Sequence, residues 1–162
     1  MKFFIYFSIF VFFFSSNGFT QKNTLPSITI KNLKGSDIAF SNLFAEDTVT
    51  TYIVSFWATW CSPCIKELDA INDNLPDWET KVPVKLLAVS TDDSRTINRV
   101  KPFVAGRGWD FDVYTDVNSD LRRSLNIPNV PFTMLIKNGK IIYQHEGYLP
   151  GSEDELFEKI KK

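Results

Sequence analysis

Apolar and polar positions along this chain follow two rhythms. Thr50-Thr51-Tyr52-Ile53-Val54-Ser55-Phe56 and Val82 to Ser90 are short, nearly continuous apolar runs, the pattern of buried central strands, with Pro83 interrupting the second early. Between them Ile65, Leu68, Ile71 and Leu75 recur at near-helical spacing, which predicts a helix that stops near Pro76 with Trp78 just beyond. Thr91-Asp92-Asp93-Ser94 offers caps for a second helix carrying Ile97, Val100 and Val104 on one face. Pro102 is expected to kink or shorten it, and Gly106-Arg107-Gly108 to close it. Phe111 to Tyr114 reads as a short strand, and Asn118-Ser119-Asp120 as the start of a short helix through Leu121 and Leu125 that ends before Pro128. Phe132 to Lys137 and Lys140 to His145 form a strand pair about the two-residue turn Asn138-Gly139. After the loop Gly147 to Gly151, Ser152-x-x-Glu155 has the form of a capping box, with Leu156 and Ile160 facing inward from a final helix. Upstream, Ser27 to Lys31 and Asp37 to Phe40 give a hairpin about Asn32-Leu33-Lys34-Gly35, followed by a helical turn at Ser41 to Phe44 and a loop at Glu46-Asp47-Thr48. Strands alternating with helices and ending in a hairpin predict an α/β chain, an α+β sandwich whose central mixed sheet is flanked by helices.

The extreme N-terminus obeys neither rhythm. Met1-Lys2 is followed by Phe3 to Phe14, apolar except for Ser8, and then by the small polar Ser15-Ser16-Asn17-Gly18. That layout predicts a secretory signal peptide over residues 1–20, cut between Asn17 and Gln21; the run is short for a membrane span. An uncleaved N-terminal anchor is the alternative, and with no cysteine near its end a lipid anchor is not expected. Residues 21–162 then form one domain of ordinary size with a full core. A formal net charge of −1 and the lack of a basic stripe argue against nucleic acid. The cluster Lys159, Lys161 and Lys162 ends a helix, where positive charge suits the dipole.

The chain has two cysteines, Cys61 and Cys64, in the run Trp57-Ala58-Thr59-Trp60-Cys61-Ser62-Pro63-Cys64-Ile65-Lys66-Glu67. They fall where the first central strand hands over to its helix. Unpaired N–H groups and the positive end of the helix dipole favour a thiolate at Cys61, the reactive form in disulfide exchange. Cys64, one turn on, can attack a mixed disulfide and release the partner. Pro63 lies in the first turn, where a missing N–H costs little. Three other readings compete. A structural disulfide closing so short a loop stabilises little. A zinc site needs four ligands, and His145 is the one other soft candidate. Two inert buried thiols fit poorly with the polar Ser62-Pro63 insert. In an exported protein, a lone C-x-x-C pair points to handling the disulfides of others.

Phe56 to Cys64, followed by Lys66-Glu67, resembles the active site of thioredoxin-fold thiol-disulfide oxidoreductases, in particular the exported TlpA/ResA-like branch. The resemblance implies a thioredoxin-like fold, here with an N-terminal β-hairpin extension. It implies that Val130-Pro131 is the dipeptide whose proline is cis and faces the disulfide, holding the substrate chain; an ordinary trans proline in the loop Ile127 to Pro131 is the alternative. It implies that Glu67, on the Cys64 face of the helix and one turn further in, tunes the cysteines and exchanges a proton with Cys64. A first-turn glutamate merely favoured by the dipole is the rival reading. The buried aspartate that cytoplasmic thioredoxins carry in the preceding strand is replaced by Ser55, which makes Glu67 the better proton carrier. Trp60, Ser62, Pro63 and Val130 are expected to meet the substrate, and Trp57 to pack in the core. His145, in a strand and beside Glu146, reads as an ordinary residue.

The expected activity is reduction of partner-protein disulfides by an exported, periplasmic or otherwise extracytoplasmic monomer. Cys61 and Cys64 form the redox-active disulfide, a membrane thiol donor recharges it, and no metal or organic cofactor is needed. Cytochrome c maturation is one pathway suggested by analogy alone. A disulfide-forming oxidant and a non-catalytic binding module that presents Trp60 and the Pro131 loop are the alternatives. A peroxidase is disfavoured because no separate Thr-x-x-Cys motif is present.

Overall fold

Every residue of the strand β3 (Thr51–Trp57) is buried, so its side chains alternate between two covered faces rather than between core and water. A computed structural model of the protein describes residues 25–162, so the signal-peptide reading of residues 1–20 lies outside the described residues. β3 leads into the helix α1 (Ser62–Glu79), and then β4 (Val84–Ser90) returns parallel to β3, with Ile53 opposite Leu86 and Phe56 opposite Val89. A 3-10 turn at Ile97–Arg99 and the helix α2 (Val100–Arg107) cross to β5 (Asp112–Thr115), parallel to β4. A short helix α3 (Asp120–Ser124) precedes β6 (Phe132–Lys137), which runs antiparallel to β3; β7 (Lys140–Glu146) and the helix α4 (Ser152–Ile160) follow. The predicted N-terminal hairpin is β1 (Thr29–Asn32) and β2 (Asp37–Ala39), followed by a 3-10 turn at Phe40–Phe44. β1 pairs with β5, so one mixed sheet runs in the order β2-β1-β5-β4-β3-β6-β7.

Two apolar layers sandwich that sheet. Ile53, Trp57, Leu86, Ala88 and Leu135 pack with Leu68 and Ile71 of α1, Val100 and Val104 of α2 and Leu156 and Ile160 of α4. Val54, Phe56, Val89, Met134 and Ile136 pack on the other side with Phe40, Phe44, Leu121 and Ile127. Cys61 and Cys64 belong to the first layer.

Four local expectations are corrected. The helix α1 does not stop at Pro76 but continues to Glu79, because the buried Trp78 stacks on Phe157 of α4, 5.0 Å between ring centroids, and holds the last turn in place. The second helix begins late, at Val100, so that Pro102 lies in its first turn, where the absent N–H breaks no bond; its close at Gly108 in the left-handed conformation (φ 67°) is as expected. Asp93 alone bonds the turn that follows β4, through the backbone N–H of Arg95, while Asp92 turns inward. Ser152 does not cap its helix, whose N-cap is Gly151, and at α3, which starts after Ser119 as expected, the cap comes from upstream. The backbone N–H groups of Leu121 and Arg122 donate to the Asp116 carboxylate, and Ser152 bonds back to the Leu149 carbonyl while Glu153 accepts from the N–H of Gly151.

Candidate active site

Cys61 is the N-cap of α1, and its sulfur accepts the backbone N–H of Cys64 at 3.3 Å. The two sulfurs are bonded to each other, with Cα atoms 5.3 Å apart. Cys64 is fully enclosed, Cys61 reaches the surface by a narrow margin, and Ser62 and Pro63 between them are exposed. A partner therefore meets Cys61 first. Trp60, 61% exposed, stands beside it. Trp57 is buried, with Phe103 and Trp109 against its ring at 5.7 and 5.1 Å, the core role expected of it.

The loop that carries the cysteines is tied to β4 from below. The N–H and Oγ1 of Thr59 donate to the Asp92 carboxylate at 2.8 and 2.6 Å, and Ser90 Oγ donates to the same carboxylate at 2.8 Å. Thr91 adds a backbone bond to the Trp57 carbonyl at 2.8 Å. Asp92 is wholly buried, and three converging donors satisfy its oxygens. Sequence reasoning had assigned it to a helix cap; its partner lies 33 residues away, beyond the reach of any local pattern.

Glu67 faces inward from α1 and is only 2% exposed. Its Oε1 lies 2.9 Å from both Thr133 Oγ1 and His145 Nε2, and Ser55 Oγ donates to its Oε2 at 3.4 Å. The sheet register explains this gathering: Ser55 is opposite Thr133, and Thr133 is opposite His145. Three polar side chains thus form a row across β3, β6 and β7, on the face of Ile53, Trp57 and Leu135, directly under one carboxylate. Thr133 and His145 were both missed, although Ser55 and Glu67 were singled out. A glutamate merely favoured by the helix dipole would stand in solvent, whereas this one is buried and held by three side chains. Tyr148 borders the same space; burial, its hydrogen bond to Glu153 (3.0 Å), and the charges of Glu153 and Glu67 push its hydroxyl up to about 12.

The Val130–Pro131 peptide is cis. Pro131 precedes β6, where its lack of an N–H removes no ladder bond, and its carbonyl accepts from the N–H of Gly147 at 2.8 Å. Val130 is half-buried against both apolar layers, one of which contains the cysteines. Among the described residues no three His, Cys, Asp or Glu side chains converge as a metal site, and no helix is long and apolar enough to cross a membrane.

A buried cysteine pair at a strand-to-helix junction, held by fixed backbone bonds, can open and close a disulfide without moving the fold. Known proteins agree with that chemistry. The model of the AhpC/TSA family matches residues 22–149. The thiol-disulfide oxidoreductase ResA of Bacillus thuringiensis subsp. konkukian is 28% identical over 138 residues, covering 85% of this chain and 75% of the relative. The ResA of Bacillus subtilis is 24% identical over 131 residues, covering 80% and 69%. An uncharacterized thioredoxin-like protein from Porphyromonas gingivalis, solved in solution, is 38% identical and superposes with a TM-score of 0.74 over 85% of this chain and 89% of its own. StoA from Bacillus subtilis, 24% identical with a TM-score of 0.63 over 82% and 94%, shares the fold. On sequence, fold and cysteine pair together, the chain belongs to the AhpC/TSA family and is a thioredoxin-fold thiol-disulfide oxidoreductase of the ResA type.

Proposed function

We propose that this protein is an exported reductant of protein disulfides, with Cys61 as nucleophile and Cys64 as resolving thiol. The observation that carries the reading is the asymmetry of the pair. Cys61 caps α1 at the surface, with the Cys64 N–H aimed at its sulfur, and Cys64 lies enclosed behind it. In the reduced form that N–H and the helix end stabilise a thiolate on Cys61. The thiolate attacks a partner's disulfide, a Cys61–partner bond forms, and the first partner sulfur leaves as a thiolate that takes a proton from water. Cys64 then loses its proton to Glu67 and attacks Cys61. The Cys61–Cys64 bond forms, the second partner sulfur departs and is protonated, and two electrons have passed to the partner.

Glu67 is the proton acceptor because it is the carboxylate on the Cys64 face of α1, withdrawn from water and held by three hydroxyl or ring donors. Val130, oriented by the cis peptide to Pro131, presents backbone to the partner chain, while Trp60, Ser62 and Pro63 supply the exposed contact surface. The apolar run at Phe3 to Phe14 supports export through residues 1–20, cleaved or retained as an anchor, with 21–162 as the working domain. A membrane thiol donor recharges the monomer, and cytochrome c maturation is a pathway that fits a reductant in that compartment.

Equilibration with dithiothreitol and glutathione buffers tests the direction. A potential near that of thioredoxin, about −270 mV, supports the reductase; one near that of DsbA, roughly −120 mV, assigns a disulfide donor instead. Cys64→Ser should accumulate mixed disulfides with insulin and Cys61→Ser should form none; a Cys61→Ser/Cys64→Ser protein that still rescues a deletion strain would identify a binding module.

A further inference from the structure

His145 lies on an edge strand, yet its imidazole is turned inward onto Glu67, with Nε2 at 2.9 Å from Oε1 and only 19% of the side chain exposed. Its Nδ1 is buried without a hydrogen-bond partner among the described residues. The ring borders two spaces: a narrow one shared with Glu67, Ile71 and Leu156, and an open cleft of about 350 Å³ bordered by Tyr143 and Glu155, with Tyr148 and Ser152 lining both. Of these shared residues, His145 is the one that bonds the buried carboxylate.

We propose that His145 is the positioning residue that holds Glu67 ready to take the proton of Cys64, and that it makes the resolving step depend on pH. The proposal rests on the thiol-exchange reading above and adds a residue to it. A 2.9 Å contact between imidazole and carboxyl survives protonation of the carboxyl. With Glu67 ionised, Nε2–H donates to Oε1; with the Cys64 proton on Oε2, Oε1 still accepts from the same Nε2–H and from Thr133, so the ring proton stays where it is. The carboxyl can thus collect the Cys64 proton without losing its anchor. Ser55, on Oε2, adapts by turning its hydroxyl from donor to acceptor. No covalent bond or electron is involved at His145: one proton passes from Cys64 Sγ to Glu67, and the imidazole acts through the hydrogen bond it donates to the carboxylate.

The charged and titratable groups around the ring all bear on this pH dependence. Glu67 faces it from α1, Tyr143 from its own strand, Tyr148 from the loop, and Glu153 and Glu155 from α4. Glu146, next in sequence, is held away by Asn129 at 2.8 Å. Lys159 of α4 lies over Tyr143 and pairs with Glu155 at 3.8 Å, and Glu153 accepts from Tyr148, so Glu67 is the carboxylate in hydrogen-bond contact with the ring.

The test mixes reduced protein with oxidised glutathione over a range of pH, quenches with acid, and follows the glutathione adduct of Cys61 by intact mass. Wild-type protein should form the adduct and clear it. With His145→Val, formation is unchanged but clearance slows about tenfold on the acid side of neutrality, the loss of one hydrogen bond to a charged group, and recovers at alkaline pH. His145→Gln, which can still donate to Oε1, should restore most of the clearance rate. Adding His145→Val to Glu67→Gln should change nothing further. If circular dichroism shows that the valine variant does not fold, His145→Asn, too short to reach Glu67, replaces it. A His145→Val profile that superimposes on wild type overturns the proposal, as does an equal loss in the Glu67→Gln background. Failure of wild-type protein to form the adduct at all would instead remove the thiol-exchange reading on which it stands.

Discussion

Asp92 illustrates how much of the site depends on single side chains that never meet a substrate. Three donors converge on its buried carboxylate, two of them from Thr59, two residues before Cys61. Asp92→Ala would leave the Thr59 N–H and the Ser90 hydroxyl without that acceptor, and should cost about 2–4 kcal/mol in urea unfolding while lowering insulin turnover. Asp92→Asn retains one acceptor oxygen and should cost less; an alanine variant within roughly 0.5 kcal/mol of wild type would refute the anchoring role. A second expectation concerns alkaline pH. Burial first, then a hydrogen bond to Asp47 (2.9 Å), pushes Tyr52 up to about 12, and Tyr148 is pushed up to about 12 by burial and Glu153. Both folded-state values are raised above the ordinary 10.0, so the folded form holds these protons more tightly than the unfolded chain. Their stabilising contribution is complete below pH 10 and is lost as pH rises through about 12. Ultraviolet difference absorption should show late phenolate formation that Tyr52→Phe and Tyr148→Phe each diminish. Ionisation of all tyrosines at the ordinary value would contradict the buried hydrogen bonds.

Elements show where local sequence speaks and where it is silent. The Cys61 cap, the Asn138-Gly139 turn and the mixed sheet follow from patterns a few residues long, and all are found: Asn138 and Gly139 adopt φ of 50° and 66°, as such a turn requires. The end of α1 was misread because proline is a strong local signal, and what overrides it is Trp78 stacking on a residue of α4. His145 was misread for a subtler reason. A regular two-residue turn would pair Thr133 with Gln144 and turn His145 to the opposite face. The register shift between Leu135 and Ile136 inserts one residue into β7, pairs Thr133 with His145, and so brings the imidazole under Glu67. Nothing in the residues from Lys140 to Glu146 signals that bulge. The stacking at the end of α1 has its own consequence. Trp78→Ala should destabilise by about 3–5 kcal/mol, since it empties a large buried volume and frees α4 from α1. Urea unfolding would show a lower midpoint with an unchanged slope, whereas a loss below roughly 1 kcal/mol would mean that α1 holds its last turn without help.

For the whole molecule, the question is whether the N-terminal hairpin is an appendage or part of the core. β1 occupies the edge of β5, and Ile30, Phe40 and Phe44 are enclosed in the layer opposite the cysteines, with Phe44 edge-on to Tyr52 at 5.1 Å. Each large apolar side chain so buried is worth about 1.5–3 kcal/mol, and three of them together rival the roughly 5–15 kcal/mol that holds a domain folded. Removing residues 1–45 would also bare the backbone of β5 along its open side, a template for pairing with a second chain. The shortened protein should therefore lack a cooperative thermal transition by circular dichroism and elute as aggregate on size exclusion, although Cys61, Cys64 and every partner of Glu67 lie beyond the cut. A shortened chain that stays monomeric, melts cooperatively and reduces insulin at the full rate would show the hairpin to be dispensable. The catalytic layer would then carry its own stability, and the opposite layer would need another explanation for burying so much aromatic surface.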